Sequence, residues 1–171
     1  MTDITNKRWS IIQDILTREG IARQHLNSFD EFLENGLQAI IDETNIIEIE
    51  NAEYPYKIQL GKIKLKEPRI MELDGSITRI NPAEARLRNV SYVAPFYIEA
   101  SVIEDGKILE TKPIHIGDIP VMVKSTGCLL RNFSEQKLIE QGEDSNDPGG
   151  YFIINGSERV IVGLEDLSYN K

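Results

Sequence analysis

Near residue 44 the hydrophobic pattern of this chain changes period, from helical to mostly alternating. Before that point, residues 5–18 place Trp9, Ile12, Ile15 and Leu16 on one helical face, and Gly20 is expected to end the helix. A second helix is expected to begin at Ser28, where Ser28 and Glu31 read as an S-x-x-E capping box. Phe29, Phe32, Leu33, Leu37, Ile40 and Ile41 would form its apolar stripe. Asp30, Glu31 and Glu34 fall in its first turns, where the helix dipole favours negative charge.

Beyond residue 44, Ile46, Ile47 and Ile49, then Ile58, Leu60, Ile63 and Leu65, read as strands. Pro68 interrupts the run, and Asp74 with Gly75 marks a turn. Residues 82–88 predict a short helix with Pro82 at its first position. Residues 91–103 return to strand, with Tyr92, Ala94, Phe96, Ile98, Ala100 and Val102 on one face. Asp105 and Gly106 offer a tight turn, after which 107–116 should run back antiparallel. Residues 119–123 read as one more short strand, 134–141 as a short helix, and 142–150 as a polar, flexible stretch. Near the end, Asn155 and Gly156 sit between two apolar runs. That is the strongest short-range hairpin signal, because a type I′ turn needs positive φ at both positions. The pattern predicts a single α+β region over 1–171, helical over 1–43 and mainly β over 44–171.

A chain of 171 residues can bury roughly two-thirds of its unfolded surface. Its 40% hydrophobic content excludes a disordered tail. No apolar run approaches the ~20 residues of a membrane helix, and residues 1–20 lack a signal peptide's continuous apolar segment. The expectation is a cytoplasmic protein without a membrane partner. A net charge of -9 argues against a free-standing DNA-binding module, since phosphate neutralisation supplies most non-specific affinity. The charge is unevenly placed. Residues 28–53 hold eight acids and no Lys or Arg, whereas 57–88 hold eight basic residues against four acids. Such blocks are either solvated faces or faces that meet different partners, the basic one then lying nearest nucleic acid.

Catalytic signatures are missing from the sequence. The lone Cys128 excludes an internal disulfide and a cysteine-rich zinc site. His25, His115 and Cys128 have no ligand spacing; His25 is expected to pack or cap at the helix junction and Cys128 to be a small buried residue. There is no phosphate-binding G-x-x-x-x-G-K-[ST] loop, and no two acids stand out as a general acid–base pair.

Four stretches nevertheless form a pattern. The first carries Arg23, Gln24, His25, Ser28, Phe29 and Phe32. The second is Pro82, Glu84, Ala85, Arg86, Leu87, Arg88, Asn89 and Tyr92. The third is Ile116, Gly117, Pro120, Met122, Ser125 and Cys128, and the fourth runs through Gly150, Tyr151, Phe152, Ile153, Ile154, Asn155, Gly156, Ser157 and Glu158. Together and in this order they resemble the second-largest subunit, B or B″, of archaeal-type multisubunit DNA-directed RNA polymerase. The resemblance implies the start of the subunit's protrusion domain, one wall of the DNA cleft, and a chain that is a fragment of a longer subunit. It implies no catalytic residue and no cofactor here, because the magnesium ion of that nucleotidyltransferase is held elsewhere in the assembly. The implied partners are other polymerase subunits, the DNA duplex and initiation factors. Lys124 stands where many members have Arg, which keeps the charge without bidentate geometry. Gly163, Leu164, Glu165 and Asp166 are less basic than the bacterial pattern, which argues against a bacterial-style contact near the nascent RNA. Lys124, Arg131, Arg86 and Arg88 are the candidates for a basic, DNA-facing surface; for Arg86 and Arg88 the alternative is pairing with nearby acids. Two other readings stay open at this point, a free-standing acidic protein-interaction module and an unrelated small enzyme.

Overall fold

The computed structural model describes residues 2–49, 56–104 and 106–163. Helix α1 (Thr2–Glu19) ends at Gly20, which takes φ 74° and donates its N–H to the Leu16 carbonyl. Helix α2 (Arg23–Glu31) starts five residues before Ser28. The expected capping box therefore does not form: Ser28 lies in mid-helix, exposed, and has no orphan donor to satisfy. The reason is tertiary. Leu26 and Phe29 pack together against Met122 and Phe152, so the turn before Ser28 must also be helical. A π-helical turn (Phe32–Gly36) follows, closed by the Leu37 N–H bonding the Phe32 carbonyl, and α3 (Leu37–Glu43) completes the helical part. The extra residue rotates the apolar stripe. Phe29 is buried, Leu33, Leu37 and Ile41 are half-buried, and Ile40 faces outward.

Four antiparallel strands form the main sheet in the order β1 (Ile46–Ile49), β2 (Tyr56–Leu65), β5 (Val93–Glu104), β6 (Lys107–Pro120). Asp105 of the expected turn lies outside the described residues; the return strand is present and runs to Pro120. The predicted face of β5 is the buried one at Ala94, Phe96, Ile98 and Ala100. A bulge in β2 between Leu60 and Ile63 breaks the ladder to β5. Gln38 of α3 repairs it: its Nε2 donates to the Gly61 carbonyl at 3.3 Å and its Oε1 accepts from the Ile63 N–H at 3.1 Å. This pins the helical part to the sheet.

Strands β3 (Arg69–Met71) and β4 (Ile77–Arg79) make a small hairpin around Asp74 and Gly75. Helix α4 (Pro82–Leu87) carries Pro82 in its first turn, and α5 (Glu135–Glu140) is capped by Ser134, whose hydroxyl accepts from the Lys137 N–H. Residues 119–123 are not a separate strand. Ile119 and Pro120 end β6, while Val121 and Val123 donate to the carbonyls of Tyr92 and Tyr151 from irregular backbone. The stretch 142–150 is not loose either. Glu143 is buried, and the Gly150 N–H bonds the Val123 carbonyl at 3.0 Å. Strands β7 (Phe152–Ile154) and β8 (Ser157–Arg159) flank Asn155 and Gly156 at φ 50° and 75°, as a type I′ turn requires. The core gathers Ile80, Tyr92, Val121, Val123, Leu130 and Ile153 from all of these later segments.

Candidate functional site

The four sequence stretches converge. Phe29 of the first meets Phe152 of the fourth edge-on at 5.3 Å, with Met122 of the third beside them. His25 lines a cavity of about 350 Å³ next to this cluster, with Ser28, Phe32 and Ile161. Gly150 presses so closely on Ala22 that a Cβ there would stand 2.8 Å from the Ala22 Cβ. The second stretch meets the fourth through the Gly156 N–H, which donates to the Val90 carbonyl at 3.0 Å. Tyr92, Cys128 and Ser125 are buried together, the Tyr92 hydroxyl donating to the Cys128 sulfur at 3.5 Å. Burial pushes both the Cys128 thiol and the Tyr92 phenol above their ordinary ranges. Cys128 is thus a packed, neutral side chain rather than a nucleophile. Arg23 and Gln24 are exposed on the first turn of α2, and Pro120 closes β6.

The basic candidates separate into two groups. Arg86 donates from Nη1 to Glu143 at 2.9 Å, from Nε to Glu158 at 2.8 Å and from Nη2 to the Tyr151 hydroxyl at 2.6 Å. Glu143 also accepts from the Ala83 N–H at 2.6 Å, which anchors α4. Arg88 grips both oxygens of Glu72 at 2.7 and 2.8 Å and reaches Glu84 at 2.9 Å. For these two, pairing inside the fold is what the geometry provides. Glu143 carried no sequence signal, because its partners lie 57 and 60 residues away.

Lys124 and Arg131 come together on another face. With Arg23 and Asp30 they line a cavity of about 360 Å³. Lys124 sits at φ 66°, an unusual conformation for a lysine, and its ammonium donates to the Asp147 carbonyl. Arg131 is 43% exposed and lies 3.5 Å from Asp30, which itself accepts from the backbone and hydroxyl of Thr126 at 2.7 and 2.9 Å. Among the described residues no three His, Cys, Asp or Glu side chains gather as a metal-holding group. His115 pairs with Asp118, at 3.1 Å.

Comparison with known proteins places this geometry. The family described as RNA polymerase beta subunit matches residues 20–168. The chain is 45% identical over 167 residues to DNA-directed RNA polymerase subunit Rpo2 of Saccharolobus shibatae, covering 97% of this chain and 14% of that protein. It is 44% identical over 165 residues to subunit Rpo2N of Methanocaldococcus jannaschii, covering 94% of this chain and 33% of the relative. Against Rpo2N of Methanothermobacter thermautotrophicus the identity is 41% over 164 residues, covering 95% and 31%. The chain thus spans between a seventh and a third of the length of these relatives.

Proposed function

This chain belongs to the RNA polymerase beta subunit family, and we propose that it serves as a structural, cleft-wall segment of the second-largest subunit of a cytoplasmic DNA-directed RNA polymerase. In this reading nucleotidyl transfer belongs to the assembly, and this segment supports DNA-templated transcription by holding neighbouring subunits and the DNA duplex. The magnesium ion of such an enzyme is, in this reading, held elsewhere in the assembly.

The observation that carries the reading is uncovered apolar surface. Along α1, Trp9, Ile12, Ile15 and Leu16 are between 45% and 59% exposed on one face. A second apolar surface runs past Phe32 and Ile161, beside the motif cluster. Apolar surface of this kind favours contact with other protein. Of the motif polar groups, Arg86, Tyr151, Glu158, Arg88 and Glu84 are spent on bracing the fold. That combination suits a part built to be packed into something larger. A catalytic reading would need convergent polar groups in an open pocket, and an interaction module alone would not need the mutual bracing of four separate stretches.

The test is reconstitution. Trp9→Glu with Leu16→Glu should block incorporation of the subunit into polymerase while leaving its own unfolding transition in place, because α1 contributes little to the core. Normal incorporation of that variant would remove the main support for the reading.

A further inference from the structure

Among the basic residues, the arrangement at the β3–β4 hairpin is the hardest to account for within the chain. Arg69 and Arg79 are register partners, directly opposite each other on one face of the antiparallel pair. Like charges so placed repel and destabilise a hairpin. Arg79 is neutralised by Glu67 at 2.6 Å. Arg69 is half-buried, yet among the described residues it has no carboxylate and no side-chain hydrogen-bond acceptor. It lies where two cavities of about 350 and 220 Å³ meet, with Lys66, Arg79 and Glu67 lining the first and Tyr97, His115 and Asp118 the second, the two carboxylates being paired with Arg79 and His115. Lys66 also lacks a carboxylate partner among the described residues; its ammonium lies 5.9 Å from the Tyr97 ring centre. On β2, Lys64 is the register partner of Tyr97 and so shares its face, only loosely compensated by Glu99 at 3.9 Å.

We propose that this surface, centred on Arg69 and Lys66 with Arg79 and Lys64 at its sides, docks the phosphodiester backbone of duplex DNA. The proposal rests on the polymerase reading above and adds a second contacting face to the one that carries Lys124 and Arg131. A phosphate has what the site needs: several oxygens that accept from a planar guanidinium in pairs, and charge that turns the opposed arginines from a repulsion into a clamp. Tyr97, whose ring centre lies 5.2 Å from that of His115, lies beside the Lys66 ammonium on this face. The whole chain carries a net charge of -9, so the surface outside this basic face repels polyanions and orients them toward it. The basic block at 57–88 supplies Lys64, Lys66, Arg69 and Arg79, whereas Arg86 and Arg88 of the same block are consumed by Glu143, Glu158, Glu72 and Glu84.

The experiment uses polymerase whose second-largest subunit includes this chain. Lys66→Gln with Arg69→Gln is compared with Arg131→Gln and with Arg69→Lys. Retention on duplex DNA and on single-stranded RNA is followed against salt, and the melting of each subunit is recorded. Two lost phosphate contacts make the slope of log K against log salt shallower by about 1.8 on duplex DNA and about 1.4 on single strands. A change on single-stranded RNA alone would overturn the duplex assignment. Arg69→Lys should recover part of the retention. The double variant should melt no lower than the parent, since it removes the opposed charges; a purely structural role for the pair would instead lower melting and leave retention alone, overturning the proposal. Loss of retention in Arg131→Gln only would also overturn it while leaving the cleft-wall function intact. Failure of the unsubstituted subunit to enter polymerase would sink the functional reading and this proposal with it.

Discussion

Replacing Gly156 by Ala separates two contributions at the β7–β8 turn. The residue has φ 75°, where a Cβ costs about 1–2 kcal/mol. That Cβ would also stand 2.7 Å from both Cα and Oδ1 of Asn89 and 3.2 Å from the Arg86 carbonyl, so part of the backbone after α4 must move. Overpacking of this kind adds about 1–3 kcal/mol. The expected total is about 2–5 kcal/mol, or a fall in Tm of roughly 5–15 °C for a chain this size. Two controls divide the cost. Gly75 has φ 82° but nothing within 4 Å, so Gly75→Ala should show only the backbone contribution of about 1–2 kcal/mol. Gly117 has neither a positive φ nor a neighbour within 4 Å, so Gly117→Ala should stay within about 0.5 kcal/mol of the parent. Urea titrations with unchanged m values provide the measurement. Equal losses at Gly156 and Gly75 would mean that the hairpin does not pack on Asn89, and the bracing of the second stretch by the fourth would have to be given up.

Glu143→Leu should cost about 3–5 kcal/mol, because it strands the Ala83 N–H and Arg86 beside an apolar side chain, while Glu143→Gln, which still accepts from Ala83, should cost about 1–3 kcal/mol; equal costs in denaturant titrations would contradict the network. Ser134→Ala should lower stability by about 1 kcal/mol through loss of the cap to Lys137, and no change would mean that water replaces it. Because burial raises the Cys128 thiol above its ordinary value near 9.0, folding favours its protonated form; that contribution is complete below 9.0 and is lost as pH rises above it. Stability should therefore decline on the alkaline side, and Cys128→Ala should make the decline shallower. An unchanged slope would show that the thiol does not contribute.

The features legible in the sequence are those fixed by local chemistry. Asn155 and Gly156 determine their turn because few other residues tolerate two successive positive φ values. Pro82 opens α4, and the period-two run through Ala94, Phe96 and Ile98 identifies the buried face of β5. The misreadings all arise from partners distant in sequence. Ser28 and Glu31 form a sound local capping signature, yet packing of Leu26 on Met122 and Phe152 carries the helix back to Arg23. The polar stretch from 142 to 150 looked loose because its hydrogen bonds reach Ala83, Val123 and Lys124. Val121 and Val123 alternate like a strand but bond to Tyr92 and Tyr151 rather than to an adjoining strand. For the basic residues, only the Arg88 contact to Glu84, four positions earlier, was visible in the sequence. The grouping of Lys124 with Arg131, and the opposition of Arg69 to Arg79, depend on the fold.

The proposed role makes this chain a wall of the polymerase and not part of its catalytic centre. Arg131→Gln tests it most directly, since Arg131 is partly exposed and Lys124 can keep its bond to Asp147. In one preparation of reconstituted enzyme, the lifetime of the DNA complex at low salt and the rate of a single nucleotide addition are measured together. The account predicts a shorter lifetime, because a phosphate contact is lost, and an unchanged addition rate, because the chemistry lies elsewhere. A large fall in the addition rate with an unaltered lifetime would place this region in the active centre and contradict the account.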